Sequence, residues 1–235
     1  MKMSIVRIDR MSKYFSQGKS STRKVFDNAC LDIPQLQRTG LMGESGSGKS
    51  TLTRILLKME TISSGSVIVN GFDLTKKNID IKRYYGSVQT IHQNSYETFD
   101  NIYTVGQSLL EVMQIHRIGG TKAQRRELAL MHLANAGFQN ASIIFDRHPN
   151  ELSGGQLQKI AFIRAVMLSP KLLLADEPIT MLDVVSRNEM LELMQAQVLE
   201  RGITLLYISH DVATMKYITD VQYSIEDYRI VEYAQ

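Results

Sequence analysis

Residues 43–50 are the first part of the chain whose residue types and spacing can do chemistry. They read G-E-S-G-S-G-K-S and satisfy the pattern G-x-x-x-x-G-K-[ST] in full. Glycines let the backbone wrap a phosphate with successive N–H groups pointing at its oxygens, and the dipole of a following helix favours the same anion. In this pattern the lysine, Lys49, reaches the β- and γ-phosphates, and the hydroxyl of Ser50 ligates Mg²⁺. The complete pattern favours a nucleotide-binding loop over a flexible Gly/Ser turn. The predicted ATP-binding residues of this loop are Gly43, Glu44, Ser45, Gly46, Ser47, Gly48, Lys49, Ser50 and Thr51.

A second pattern is a short apolar run that ends in two acids. The sequence L-L-L-A at 172–175 is followed by Asp176 and Glu177, and such a run is typical of a strand buried on both faces. Asp176 would help to hold Mg²⁺, and Glu177 would polarise a water that attacks the γ-phosphate. An acidic turn after a core strand is the commoner explanation of this string alone. Downstream of a complete phosphate loop, the functional interpretation is favoured.

A third pattern, L-S-G-G-Q at 152–156, precedes apolar residues at helical spacing. It predicts a helix N-terminus and therefore a second anion site on the same chain, although an N-cap serine with loop glycines has the same appearance. One nucleotide has no obvious need of two such sites. A dimer does, if the second site of each subunit closes over the nucleotide of its partner. The residues assigned to this role are Ser153, Gly154, Gly155 and Gln156.

The elements that must position these motifs follow from hydrophobic periodicity. A strand is expected at 38–42 and a helix at 50–59, on either side of the glycine-rich loop. Two buried strands near 172–175 and 203–208 flank a helix at 184–199, which predicts a parallel strand–helix–strand unit. Further strands are expected near 4–8, 25–33 and 66–69, a turn at Asn70-Gly71, and helical structure over 104–136.

Composition excludes several classes of protein. The 235 residues are 43% hydrophobic and 22% charged, as in an ordinary folded protein. Cys30 is the single cysteine, so no internal disulfide forms. No apolar run is long enough to span a membrane, and the N-terminal residues lack the apolar core of a signal peptide. A net charge of +3 gives no strong case for nucleic-acid binding.

Together, the three motifs resemble those of ATP-binding-cassette (ABC) ATPases. They stand in the same order: Walker A at Gly43–Thr51, the signature at Leu152–Gln156 and Walker B at Leu172–Glu177. The resemblance implies an α/β fold with a RecA-like P-loop NTPase core, an antiparallel β subdomain and an inserted α-helical subdomain at about residues 98–159. It also implies one cassette over residues 1–235, without the C-terminal extension of many peptide importers. Its ligands would be ATP and Mg²⁺.

The resemblance implies further site residues, each of which would be unremarkable alone. His210 matches the histidine that contacts the γ-phosphate, and Asp183 matches a residue of the dimer interface. Gln93 matches the glutamine that touches Mg²⁺ and water, and Phe15 the aromatic that stacks on adenine, with Tyr14 as the alternative. The predicted catalytic residues are Glu177, His210, Lys49 and Gln93, and the predicted metal ligands are Ser50, Gln93 and Asp176.

Residues 93–101 align without gaps to the Q-D-P-x-x-S-L-N-P stretch of dipeptide, oligopeptide and nickel importer ATPases. The implied function is to power import of peptides or metal complexes. The implied partners are transmembrane permease subunits, an identical or different second ATPase subunit and, indirectly, an extracytoplasmic solute-binding protein, with no nucleic acid. The expected location is the cytoplasmic face of the inner membrane. The departures from the stretch are Ser95, Phe99, Asp100 and Asn101.

Three alternatives stay open. An ABC exporter or lipoprotein-extraction system uses the same ATPase chemistry. A DNA-repair or translation ATPase of this family typically carries a coiled-coil insertion or a second cassette, for which this length has no room. Glu177 and His210 speak against a nucleotide-binding module without turnover.

One further departure, Leu36 in place of a turn glycine before the phosphate loop, is expected to change the backbone locally.

Overall fold

The computed structural model of the protein describes residues 3–17 and 21–233. The chain divides into two compact units. The first comprises the residues up to Val88, Lys171–Glu177 and the residues from Gly202 onward, and the second comprises Gln89–Pro170 and Pro178–Arg201. The strands of the described residues are β1 (Ser4–Gln17), β2 (Ser21–Pro34), β3 (Arg38–Met42), β4 (Ser64–Val69), β5 (Phe72–Asp73), β6 (Val88–Ile91), β7 (Leu172–Asp176), β8 (Thr204–Ile208), β9 (Val221–Glu226) and β10 (Arg229–Glu232). The α-helices are α1 (Lys49–Leu56), α2 (Ile81–Ser87), α3 (Val105–Ile115), α4 (Lys122–Asn135), α5 (Ala141–Asp146), α6 (Gly154–Val166), α7 (Val184–Glu200) and α8 (Val212–Ile218), and Ser95–Thr98 and Pro149–Glu151 are 3₁₀-helical.

One sheet of the first unit is antiparallel, with strand order β2-β1-β4-β5. Its strands alternate between buried and exposed residues, which leaves one face to pack on the core. Asn70 and Gly71 join β4 to β5 with φ of 47° and 78°. Positive φ at both central residues is what a two-residue hairpin turn of type I′ requires, so the predicted turn is confirmed.

The larger sheet has the order β10-β9-β3-β8-β7-β6, and its last strand, β6, is where the chain passes into the second unit. β3 is parallel to both β8 and β9, and β7 is parallel to β8. Leu41 and Asp176 both pair with Ile208. The carboxyl ends of β3, β8 and β7 therefore meet at one edge, and the predicted α/β class with its parallel unit is confirmed.

The core of the first unit combines residues of both sheets with one face of α1. Leu52, Ile55 and Leu56 of α1 are buried, because residues three and four apart lie on one face of a helix. Burial of each such side chain stabilises the fold by about 1.5–3 kcal/mol. The cluster includes Ile5, Val6, Phe26, Ile33, Leu41, Val67, Leu174, Leu206 and Ile208.

The second unit is built mainly of helices around its own apolar cluster. Val105, Leu109 and Met113 of α3 are buried, and Val112 is half-buried. The helical stretch predicted over 104–136 is two helices, because Arg117 and Gly119 take positive φ and end the first. Polar residues begin three of the helices through capping boxes, which satisfy the otherwise unpaired N–H groups of the first turn. These pairs are Thr104 with Gln107, Thr121 with Gln124, and Ser153 with Gln156.

Leu36 lies in the turn between β2 and β3, where the sequence predicts a local backbone change. Leu36 has φ of 66°, in the left-handed region that glycine adopts at least cost. Its N–H donates to Thr204 Oγ1 at 2.9 Å, and the N–H of Gln37 donates to the carbonyl of Pro34 at 3.4 Å. The leucine thus keeps the turn a glycine would make, because these bonds hold the backbone while its side chain stays exposed.

No helix within residues 3–17 and 21–233 is long and apolar enough to cross a lipid bilayer.

Candidate nucleotide-binding site

The glycine-rich loop connects β3 to α1 in the first unit, and its glycines are required by their surroundings. Gly48 caps α1 with φ of 115°, and a Cβ atom there would lie 2.8 Å from Val25 Cγ1. A Cβ atom on Gly43 would lie 2.5 Å from Ser47 Oγ, so the Ser47 side chain fills the space that Gly43 leaves open. A larger residue at either position would displace the loop.

The polar groups of this loop are arranged for an anion. The ammonium of Lys49 donates to the carbonyls of Gly43 at 2.6 Å and Glu44 at 2.9 Å. Ser47 Oγ is buried and has no hydrogen-bond partner among the described residues. The first turn of α1 has no acidic residue, so the positive end of the helix dipole is not neutralised by its own sequence. These donors fit a phosphate group.

The acidic edge lies at the ends of the neighbouring strands. Asp176 is the last residue of β7, and the N–H of Glu177 donates to the carbonyl of Ile208 at 2.9 Å. Glu177 has φ of 48°, a conformation that costs free energy in a residue with a side chain. His210 Nδ1 lies 3.1 Å from Glu177 Oε1, and the Glu177 carboxylate is mostly buried while the imidazole is mostly exposed. The pair can therefore hold and orient a proton at this edge.

The predicted phosphate-loop and acidic residues and His210 share this sheet edge. The phosphate loop follows β3, Glu177 follows β7 and His210 follows β8, whose ends are aligned by the register through Ile208. Helix α1, which carries Ser50, contacts β7. No group of three or more His, Cys, Asp or Glu side chains in the described part of the chain could hold a metal by itself. Mg²⁺ bound with a nucleotide needs fewer protein ligands, because phosphates and waters complete its shell.

Phe15 and Tyr14 lie on opposite faces of β1. Phe15 pairs with Arg23 and Tyr14 with Lys24, so each pair shares one face. Half-buried Phe15 packs against the apolar cluster of the first unit, and Lys13 Nζ lies 4.4 Å from the centre of its ring. The ammonium of Lys13 also pairs with Glu60 at 2.8 Å.

The β1–β2 ladder has an irregularity beside the phosphate loop, on the face of the sheet that carries Phe15. The register moves from Lys13↔Phe26 to Tyr14↔Lys24, which leaves Val25 as an extra residue in β2. Val25 and Phe26 both approach Gly48. A Cβ atom on Gly48 would lie 2.8 Å from Val25 Cγ1 and 3.0 Å from Phe26 Cζ. Phe26 is cross-strand from Lys13, which shares a face with Phe15. This favours Phe15 over Tyr14 as the residue beside the loop.

Gln93 lies in the second unit, in the loop that follows β6. Gln158, a buried residue of α6, donates to the carbonyl of His92 at 3.0 Å and accepts a hydrogen bond from the Ser95 hydroxyl. One side chain is therefore bonded to the backbone before Gln93 and to a hydroxyl after it. Tyr96 adds a bond from its hydroxyl to the carbonyl of Leu152 at 3.0 Å.

Arg164 holds the next part of the same loop. Its guanidinium donates to the carbonyl of Thr98 at 2.9 Å and lies 4.1 Å from the centre of the Phe99 ring. Burial lowers the pKa of Arg164. Sequence reasoning missed both Gln158 and Arg164. The available signal was that both are polar residues among the apolar residues of α6.

The signature residues begin α6 and touch the start of α7. Ser153 Oγ accepts from the N–H of Gln156 at 3.3 Å, and Gln156 Oε1 accepts from the N–H of Ser153 at 3.1 Å. A Cβ atom on Gly155 would lie 2.5 Å from Ser186 Oγ. The signature turn and the α7 N-terminus are thus packed closely within the second unit.

Asp183 caps α7. Its Oδ1 accepts from the N–H groups of Val185 and Ser186, both at 3.0 Å, and its Oδ2 accepts from the Ser186 hydroxyl at 2.7 Å. The hydrogen bonds from Ser186, first from its backbone and then from its side chain, lower the pKa of Asp183. The structure thus gives Asp183 a local role as a helix cap.

Comparison with known proteins adds four similarities: a family model, two relatives and one solved structure. A family model described as ABC transporter matches residues 26–180. The chain is 34% identical over 217 residues to the oligopeptide transport ATP-binding protein OppF of Streptococcus mutans serotype c, and the match covers 92% of this chain and 70% of that protein. It is 33% identical over 219 residues to the dipeptide transport ATP-binding protein DppF of Lactococcus lactis subsp. cremoris, with 92% and 70% covered. An ATP-binding cassette solved as a dimer in a post-hydrolysis state with ADP and Pi matches 96% of both chains with a TM-score of 0.83 at 24% identity, a likeness of fold alone.

Proposed function

The chain belongs to the ABC transporter family as an ATP-hydrolysing subunit, and on this premise we propose that it powers the import of peptides through a separate membrane permease. The observation that carries the catalytic part is the Glu177–His210 pair, 3.1 Å apart, at the sheet edge where the phosphate loop begins. Oligopeptides and dipeptides are named for two relatives. Nickel or other metal complexes are a second cargo class that the sequence alone suggests.

The loop residues would bind the triphosphate. The backbone N–H groups of 43–51 and the Lys49 ammonium would contact the β- and γ-phosphates, with Lys49 exchanging its two carbonyl partners for phosphate oxygens. Phe15 would stack on the adenine. Mg²⁺ would neutralise charge on the phosphates, and we assign Ser50 and Asp176 to it, with Gln93 as the third ligand predicted from the sequence.

Glu177 would then act on the attacking water. As the water oxygen bonds to the γ-phosphorus, the bond to the β–γ bridging oxygen breaks, ADP departs and the Glu177 carboxylate takes up the water proton. His210 would keep that carboxylate oriented and contact the γ-phosphate. The left-handed backbone of Glu177 supports this role, because strain of this kind persists mainly where function demands a geometry.

A second subunit would complete the site. We infer that Ser153, Gly154, Gly155 and Gln156 of one subunit face the nucleotide of its partner, with Asp183 at the interface. The α6 N-terminus supports this, because its helix dipole favours an anion. ATP would stabilise the closed dimer and hydrolysis would release it.

We also infer that the protein acts as one cassette over residues 1–235, with residues 98–159 as its helical subdomain. Its position would be peripheral, on the cytoplasmic face of the inner membrane. The partners would be permease subunits, a second ATPase subunit of the same or a different kind and, indirectly, an extracytoplasmic solute-binding protein.

Glu177→Gln tests the catalytic assignment. The variant should bind ATP with Mg²⁺ at wild-type affinity, accumulate as a dimer in size-exclusion chromatography and lose at least 10²-fold of phosphate release, since general base catalysis contributes about 10²–10⁴-fold. Lys49→Ala, the matched variant, should lose ATP binding itself. Unchanged phosphate release in Glu177→Gln would contradict the base assignment.

Purification of the tagged chain from native membranes tests the transport assignment. We expect membrane-spanning permease chains to co-purify, and peptides presented with the cognate binding protein to stimulate ATP hydrolysis in reconstituted vesicles. Co-purification with an export or lipoprotein-extraction complex would overturn the import proposal and leave the ATPase assignment intact.

A further inference from the structure

Arg23 of β2 lies beside the phosphate loop, although no motif includes it. Its Nη2 atom is 3.9 Å from the point where a Cβ atom would stand on Gly46. The residue is exposed, and no hydrogen bond or ion pair of its side chain is found within the described ranges 3–17 and 21–233. A guanidinium in this position adds positive charge directly next to the loop that would hold a polyphosphate.

The ladder register explains why Arg23 reaches this side of the sheet. Arg23 is cross-strand from Phe15, so the two side chains share a face. Because Val25 is an extra residue in β2, the side chains of Val25 and Phe26 both lie against Gly48. Beyond Val25 the alternation of β2 resumes, so Arg23 lies on the face of Phe15. Phe15, Arg23 and the loop glycines thus border one side of the first unit.

The neighbouring residue, Lys24, is on the opposite face and is already engaged. It pairs with Tyr14 across the strands and forms an ion pair with Asp27 at 2.8 Å. Its ammonium lies 5.3 Å from the ring centre of Tyr228. Two adjacent cations of the same strand therefore face different surroundings, and only Arg23 approaches the loop.

We propose that Arg23 is a nucleotide-binding residue whose guanidinium contacts the polyphosphate of a nucleoside di- or triphosphate held by the loop at residues 43–50. This proposal rests on the proposed nucleotide site. A planar guanidinium is always charged and matches two phosphate oxygens with two parallel N–H donors. The position beside Gly46 selects the phosphates rather than the base, whose expected contact is Phe15. Arg23 takes no proton and supplies binding energy alone.

Paired variants test the proposal. Arg23→Gln and Lys24→Gln each remove one positive charge from adjacent exposed positions, on opposite faces of the strand. Affinity for ATP and ADP with Mg²⁺ should fall about tenfold in Arg23→Gln, the size of one hydrogen bond to a charged group. It should stay within twofold of wild type in Lys24→Gln. Arg23→Lys should recover part of the loss, because it keeps the charge without the two-pronged geometry.

Steady-state kinetics supplies the second readout. In Arg23→Gln the KM for ATP should rise with the dissociation constant, while kcat at saturating ATP stays near wild type. Thermal unfolding of both variants checks that the fold is intact. Equal affinities in Arg23→Gln, Lys24→Gln and wild type would overturn the role of Arg23, as would a loss confined to kcat. If wild type itself binds no ATP, or if Lys49→Ala binds as well as wild type, the nucleotide site fails rather than Arg23 alone.

Discussion

Glu177 and His210, which are 33 positions apart in the chain, meet through a 3.1 Å contact between Oε1 and Nδ1. Glu177 follows β7 and His210 follows β8, so the parallel pairing of these strands brings the two side chains together. The contact with the imidazole restrains the orientation of the mostly buried carboxylate. This makes the pair, rather than either residue alone, the unit to test.

His210→Ala should lower kcat for ATP hydrolysis by about 10²-fold or more, because the Glu177 carboxylate loses its orienting partner and the γ-phosphate loses a contact. ATP affinity should change little, which calorimetry can check. His148→Ala is the matched control, since its imidazole contacts the Asn101 carbonyl at 3.1 Å in the second unit. A kcat within fivefold of wild type in His210→Ala would contradict this assignment.

Lys13 should affect how strongly Phe15 binds the adenine base of ATP. Its ammonium lies over the Phe15 ring and pairs with Glu60, lowering the pKa of that carboxyl. Replacing both charges, Lys13→Met with Glu60→Gln, should weaken ATP binding about fivefold, since cation–π contacts contribute about 0.5–2 kcal/mol. Binding of inorganic tripolyphosphate with Mg²⁺ should not change. An equal loss for both ligands would mean that the phosphate loop, and not the base contact, is disturbed.

Gly155→Ala should destabilise the protein by about 1–3 kcal/mol, as overpacking does in a closely packed site. Its Cβ would lie 2.5 Å from Ser186 Oγ and 2.7 Å from Ser186 Cβ. Gly154→Ala is the control, because a Cβ there meets nothing within 4 Å. Adding Ser186→Gly to Gly155→Ala should restore much of the free energy of unfolding, measured with urea. Equal stabilities of the two alanine variants would show that the contact can relax.

His132 should make stability depend on pH. It lies 3.3 Å from Arg201, and burial, followed by repulsion from Arg201, lowers the pKa of His132 from 6.5. The unfolded chain therefore takes up a proton at a higher pH than the folded one. The stability from the neutral imidazole is complete above pH 6.5 and is lost as pH falls through the lower folded pKa.

Urea unfolding of wild type and His132→Gln between pH 7.5 and about pH 5 checks this linkage. The free energy of unfolding should fall more steeply with acid in wild type than in the variant. Parallel pH profiles would show that His132 binds protons equally in both states.

Much of the site follows from the sequence because its requirements are local. A loop that wraps a phosphate needs glycines, a lysine and a hydroxyl at set intervals, so residues 43–50 identify it without a fold. The continuous apolar run L-L-L-A indicates a strand buried on both faces, and the two acidic residues that follow it are evident from the sequence. The cap at Ser153 and Gln156 is likewise a relation between residues three apart.

The tertiary structure decided what depends on register and packing. The extra residue at Val25 in β2 determines that Arg23 shares the face of Phe15, and no local pattern marks it. Gln158 donates a hydrogen bond to the carbonyl of His92, 66 positions away in the chain. Ser186 leaves no space for a side chain on Gly155. Leu36 holds the left-handed backbone that glycine adopts at least cost, because hydrogen bonds of the turn, one of them donated by the Leu36 N–H to Thr204 Oγ1, outweigh its intrinsic preference. Each of these depends on residues distant in the chain, and distance in the chain is what a spacing pattern does not record.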